Sequence, residues 1–101
     1  MWHRAAKISD IAEGASQSLD INGQSIALFR LKGKFYALDN HCLHRGGPLG
    51  DGHLDGTVVT CPWHAWQFDI KSGECQTMQG AKQKCYATKI EKGEVWVETS
   101  S

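Results

Sequence analysis

Two short segments of this chain each combine a thiol with an imidazole. The first holds Cys42 and His44 with one residue between them, and the second, CPWH, holds Cys61 and His64 with two residues between them. Glycine or proline lies beside both pairs, which favours loops over regular strands or helices. Two loops that leave and re-enter strands would bring two sulfur and two nitrogen ligands to one point. Such a ligand set suits a transition metal or a metal cluster.

Two kinds of metal site use two thiolates and two imidazoles. Zinc binds such a set tetrahedrally, but its usual pattern groups the cysteines on one element and the histidines on another. A [2Fe–2S] cluster with thiolates on one iron and imidazoles on the other takes one ligand of each type from two opposed loops. The order along this chain favours the cluster. A structural zinc domain that only binds partners stays open as an alternative.

The residues around both pairs resemble the Rieske [2Fe–2S] proteins. The similarity is specific in CLHRGGPL at 42–49 and in the CPWH segment with the residues after it at 61–69, and it extends more loosely over nearly the whole chain. The resemblance implies one cluster per chain, with thiolates on an inner iron and imidazoles on an outer iron near solvent. The ligands would be Cys42, Cys61, His44 and His64.

Departures from the family pattern predict where this chain belongs within the family. High-potential members carry an extra cysteine in each ligand loop, and the matching residues here are Gly47 and Trp63, so no disulfide across the cluster is expected. Those members also have hydroxyl donors at the positions of Trp66 and Phe68. Fewer donors stabilise the reduced cluster less, so we expect a potential at the low end of the Rieske range, roughly −150 mV.

A third loop covers the cluster in many related ferredoxins and contains proline there. The equivalent stretch here, ECQTMQGAKQKC at 74–85, has none, so we expect a more mobile cover. It includes Cys75 and Cys85, which we expect to be free thiols because nothing in the sequence indicates secretion. Nearer the ligands, Leu43 and Leu49 form either an apolar docking rim or packing inside the first loop, and the sequence leaves both open.

Strand and turn signals predict that the fold is all-β. Asn-Gly at 22–23 is the strongest hairpin signal, and Lys-Gly pairs at 32–33 and 92–93 predict two further hairpins. The only helix signal is a weak one at 9–14. Residues 41–56 show no period and read as one long irregular loop. We expect a Rieske-like antiparallel sandwich or open barrel with two cluster-binding loops at one end.

Length and charge limit the class of protein. With 101 residues, the chain is predicted to be one domain spanning 1–101, whose cluster-binding portion covers about 41–75. Eleven basic residues balance eleven acidic ones, which argues against a nucleic-acid partner. No apolar run approaches the ~18–20 residues of a membrane helix, and the polar N-terminus is no signal peptide. We therefore expect a cytoplasmic monomer without a membrane partner.

The resemblance implies a soluble one-electron carrier and not an enzyme in its own right. It would take electrons from a flavin-dependent reductase and pass them to a terminal oxygenase by transient docking at the cluster tip. The alternative is the small subunit of an assimilatory NAD(P)H nitrite reductase, whose Rieske-like chains share HRGGPLGDG and CPWH. The sequence contains no phosphate-binding loop or nucleotide signature that would suggest catalysis.

Overall fold

The structure of this protein is a computed structural model, and it describes residues 1–42, 47–63 and 65–99. These residues form ten strands, and the predicted all-β fold is confirmed. Among them, no helix is both long and apolar enough to cross a membrane. The strands are β1 (Trp2–Lys7), β2 (Ser16–Ile21), β3 (Gln24–Leu31), β4 (Lys34–Asp39), β5 (His53–Asp55), β6 (Val58–Thr60), β7 (Gln67–Asp69), β8 (Cys85–Tyr86), β9 (Thr88–Glu91) and β10 (Glu94–Glu98).

The strands pair in three antiparallel sheets, ordered β1-β10-β9, β2-β3-β4-β8 and β5-β6-β7. The three predicted hairpin turns have the expected backbone. Asn22, Lys32 and Lys92 have φ of 51°, 52° and 53°, and each is followed by a glycine that also has positive φ. Positive φ at both central residues is the requirement of a type I′ turn, whose twist matches that of the flanking strands. The local sequence therefore fixes these hairpins.

Strand β3 is buried on both faces and divides the interior into two cores. Ala27 and Phe29 face the first core, which also contains Cys42 and Cys61, whereas the alternate residues of β3 face the second core with β10. A strand covered on both sides needs a continuous apolar run, which SIALF supplies. Burial of each large apolar side chain stabilises the folded state by about 1.5–3 kcal/mol. The first core is therefore the scaffold that holds both cysteines.

Two sequence predictions about secondary structure need correction. The segment 41–56 was expected to lack regular structure, which is wrong for Leu49–Asp51, a 3-10 turn, and for strand β5. Strand β5 has only three residues, too few for a periodic pattern, and it forms because β6 supplies its hydrogen-bond partners. The weak helix signal at 9–14 corresponds to a 3-10 turn that lies earlier, at Ile8–Asp10.

Asn40 fixes the return of the first loop to the sheet. It is 4% exposed. Its Oδ1 accepts hydrogen bonds from the Gly50 N–H at 2.7 Å and the Ser18 hydroxyl at 3.3 Å, and its Nδ2 donates to the Ser25 hydroxyl at 3.0 Å. Its backbone carbonyl accepts from the Leu49 N–H at 2.9 Å. One side chain thus ties the loop to β2 and β3.

We expect Asn40→Ala to lower the free energy of unfolding by about 2–3 kcal/mol, because buried groups on Gly50 and Ser25 lose their partner. Urea denaturation followed by circular dichroism measures this loss. Ser25→Ala is the matched control, since it removes only one of these side-chain bonds and should cost about 1 kcal/mol. Equal losses in the two variants would show that Asn40 does not have this central role.

Candidate metal centre

Cys42 and Cys61, two of the four predicted ligands, lie together in the first core. Cys42 is 3% exposed and Cys61 is 1% exposed. Both residues belong to the same cluster of buried residues. His44 and His64, the other two predicted ligands, lie outside the described residues. The fold therefore joins two thiols that are far apart in sequence into one buried sulfur pair.

Each cysteine begins a loop that closes in the same way. The Cys42 N–H donates to the Gly47 carbonyl at 2.9 Å, and the Cys61 N–H donates to the Trp66 carbonyl at 2.7 Å. In both loops the acceptor lies five residues after the cysteine. In sequence, each predicted histidine ligand falls between the cysteine and its acceptor. The repeated thiol–imidazole pair of the sequence thus coincides with a repeated loop closure.

The second loop is the tip of a hairpin anchored in the first core. It connects β6 to β7, whose central residues Val59 and Phe68 pair directly. Both are 0% exposed. The first loop follows β4 and returns through the 3-10 turn whose first residue, Leu49, is also 0% exposed. Of the two alternatives for Leu49, packing is therefore correct, whereas Leu43 lies outside the described residues.

Gly47 brings the two loops into contact. A Cβ built on this glycine would lie 2.8 Å from the Cys61 sulfur and 2.9 Å from Cγ of Trp63. Because those distances leave no room for a side chain, the backbone of the first loop lies directly on the second. Gly47 and Trp63 are the residues that matched the two additional cysteines of high-potential relatives. They lie side by side here, and neither carries a sulfur.

The environment of Cys61 favours the neutral thiol over the thiolate. Burial raises the pKa of the Cys61 thiol, the Cys42 thiol raises it further, and a hydrogen bond from the backbone amide of Trp63 lowers it. A thiol must lose its proton to bind a metal, so metal binding releases a proton. The positive charge of the metal then stabilises the thiolate that burial disfavours. The amide of Trp63 is in place to stabilise the thiolate that results.

The donor set fits an iron–sulfur cluster. Within the described ranges no group of three potential metal ligands occurs. The two buried sulfurs come from opposed loops, and the sequence places one imidazole inside each closed loop, which is the mixed set of a Rieske-type cluster. Soft thiolates select iron–sulfur clusters, zinc or copper(I) over hard cations. The thiol geometry alone leaves zinc as an alternative.

The protein shell around the sulfur pair is apolar and buried on one side and exposed on the other. Phe68, at 0% exposed, belongs to this core, and Trp66 packs against it; neither side chain has a hydroxyl group. Trp63 is 51% exposed on the second loop.

Ala65 has φ of 58°, in the left-handed region that disfavours a side chain. Backbone strain of this kind often occurs at functional sites.

The third loop at 74–85 and the turn before it at 70–73 are held by backbone hydrogen bonds in place of proline. The Cys75 N–H donates to the Ala81 carbonyl at 2.9 Å, and the Gln83 N–H donates to the Gly73 carbonyl at 2.6 Å. The greater mobility expected from the lack of proline stays a prediction. Both cysteines of this region are free thiols, as expected. Cys75 is buried in the first core and Cys85 is exposed.

Sequence reasoning missed Gln83. This residue is 1% exposed, and its side-chain amide bonds to two backbone carbonyls next to the first loop. No motif marks it, because glutamine is common on protein surfaces and its neighbours Lys82 and Lys84 suggest a solvated strand. Only the path of the third loop places it in the interior.

Known proteins resemble this chain over nearly its whole length. The family model of the Rieske [2Fe-2S] domain matches residues 1–93. The ferredoxin component of the naphthalene 1,2-dioxygenase system of Pseudomonas putida is 34% identical over 100 residues, covering 98% of this chain and 96% of the relative. The solved ferredoxin of Sphingomonas yanoikuyae B1 is 27% identical, with a TM-score of 0.89, covering 98% of this chain and 99% of that one.

A further solved structure contains a related chain together with another protein. It is the complex of reduced oxygenase and oxidized ferredoxin in carbazole 1,9a-dioxygenase, matched at 27% identity and a TM-score of 0.86, covering 95% of this chain and 91% of that one. The matched family resolves the choice that the sulfur pair left open, because its cofactor is a [2Fe–2S] cluster and not a zinc ion. The two identically closed loops, the buried sulfur pair and the extent of these matches together show that this chain belongs to the Rieske [2Fe-2S] domain family.

Proposed function

We propose that this chain is the ferredoxin of a ring-hydroxylating oxygenase system and that Cys42, His44, Cys61 and His64 hold its cluster. The observation that carries the proposal is the pair of buried thiols at the start of two loops that close alike. Relatives that match almost end to end are ferredoxin components of dioxygenase systems. The chain is accordingly an electron-transfer component and not the catalytic enzyme. The cluster, when bound, supplies a one-electron couple.

The chain's own residues make that couple usable by a partner. Burial of Cys42 and Cys61 keeps water from the sulfurs, which also restricts loss of the cluster. Trp63, next to the proposed ligand His64, is 51% exposed and offers an apolar contact beside the site. Electron-transfer encounters of this type bury less than about 1,200 Å² and dissociate readily. A small exposed tip on a rigid sheet suits such an encounter.

The proposed partners are a flavin-dependent reductase and a terminal oxygenase. The related ferredoxin in the carbazole 1,9a-dioxygenase complex supports the oxygenase partner. The formal net charge of zero predicts a small effect of salt on association rates, because long-range steering needs a charge excess. We further propose that residues 1–101 form one domain, since the family match spans 1–93 of the chain. The proposal includes a cytoplasmic location and a monomeric state.

The visible spectrum before and after dithionite tests this function. We expect a red-brown protein whose mid-visible absorption bleaches on reduction, and which is then re-oxidised in single turnovers by an oxygenase of the ring-hydroxylating class. Boiled oxygenase is the control. A colourless protein that retains one zinc per chain after anaerobic purification would contradict the proposal. A stable complex with a sirohaem protein, instead of reversible exchange, would favour the nitrite-reductase subunit.

A further inference from the structure

The buried side chain of Gln83 bonds to two adjacent carbonyls at the entrance to the first loop. Its Nε2 donates to the carbonyl of Asp39 at 2.7 Å and to that of His41 at 2.6 Å. A glutamine amide has two N–H donors, so each carbonyl receives one. Gln83 is 1% exposed, so water does not supply these carbonyls if the amide is removed. Both donors of the Gln83 side-chain amide are therefore used by this segment.

The peptide unit between His41 and Cys42 is held at both of its polar ends. Its carbonyl accepts the hydrogen bond from Gln83, and its N–H, which belongs to Cys42, donates to Gly47 at 2.9 Å. A peptide group is planar, so fixing both ends fixes its rotation about the chain. These two bonds therefore restrain the peptide from which the Cys42 side chain extends, and so limit where its sulfur can lie.

Gln83 is itself part of a rigid connection between the third loop and β4. Its N–H donates to the Gly73 carbonyl at 2.6 Å, and the N–H of Asp39 donates to the Lys84 carbonyl at 2.8 Å. These backbone bonds leave the side chain little freedom to move away from the two carbonyls. The third loop thus reaches the root of the first loop through Gln83.

We propose that Gln83 is a positioning residue for the cluster, which holds the Cys42 peptide in the orientation in which its thiolate binds iron. This inference rests on the proposed function. Gln83 acts through Cys42 and is not placed among the ligands. Groups that orient a ligand typically contribute 10–100-fold to metal affinity. We expect the same size of effect here, because removal of the amide frees one end of the ligand's peptide.

The test compares Gln83→Leu with Gln79→Leu in the purified holoprotein. Leucine is close in volume to glutamine and lacks both donors, and Gln79 is an exposed residue of the same loop. The rate of cluster loss to an excess of EDTA, followed by visible absorbance, should rise about 10–100-fold in Gln83→Leu. The electron paramagnetic resonance lines of the reduced cluster should broaden, because the sulfur position varies among molecules. Gln79→Leu should match the wild type in both measurements.

These rates are compared at a temperature at which circular dichroism shows every variant to be folded, so general instability does not imitate the effect. A Gln83→Leu protein with the wild-type loss rate and line shape overturns the inference and leaves the ferredoxin function standing. A colourless wild-type protein overturns both. If Gln83→Leu does not fold, Gln83→Asn is used, because its shorter amide does not span both carbonyls. The same faster loss is expected, and wild-type behaviour overturns the inference.

Discussion

Cys61→Ala should give a folded protein that is colourless and holds almost no iron. The sulfur of Cys61 is one of the two thiolates proposed for the inner iron, and without it that iron keeps Cys42 as its single protein ligand. Iron content is expected to fall from about two atoms per chain to near zero. Visible absorbance and iron analysis measure this loss. Circular dichroism should show that the sheets persist, because strands β6 and β7 are expected to keep their packing without the sulfur.

Cys75→Ala is the matched control for this variant. Cys75 is 7% exposed and lies in the same core, but it is not a proposed ligand. Both variants remove one buried sulfur, so they share the cost of the small cavity, about 1 kcal/mol. Cys75→Ala should retain the colour and the iron. Retention of the cluster by Cys61→Ala, or its loss from Cys75→Ala, would contradict the proposed ligand set.

Gly73→Ala should be among the most destabilising single changes in the chain. Gly73 has φ of +81°, and a Cβ there would lie 2.2 Å from the carbonyl oxygen of Gln83 and 2.9 Å from the Cys85 sulfur. The left-handed backbone costs a side chain about 1–2 kcal/mol, and forced overpacking adds about 1–3 kcal/mol. We expect a loss of about 2–5 kcal/mol in the free energy of unfolding, measured by urea denaturation.

Gly80→Ala separates the two causes. Gly80 lies in the third loop with φ of +90°, but no atom lies within 4 Å of the position of its Cβ. This variant therefore meets only the backbone cost, about 1–2 kcal/mol. If Gly73→Ala loses no more stability than Gly80→Ala, the chain adjusts freely at Gly73, and the close approach to Gln83 is not a structural requirement.

The hairpins were predictable because their causes are local. Asn22 and the glycine after it carry the turn preference in two adjacent residues, and the turn alone fixes the register of β2 and β3. The two thiol–imidazole pairs were visible for the same reason, since each lies within four residues. A pattern within one short segment can be read without knowing how the rest of the chain folds.

Residues close together in the sequence thus account for the hairpins and the family resemblance, and the four ligands stay a prediction from the same short segments. The tertiary structure alone decided the pairing of β1 with β10, the burial of Leu49, and the role of Gln83. Strands β1 and β10 come from opposite ends of the chain, and the bonds of Gln83 to Asp39 and His41 span more than forty residues. Long-range contacts leave no local pattern, because a residue's partner is set by where loops return and not by its neighbours.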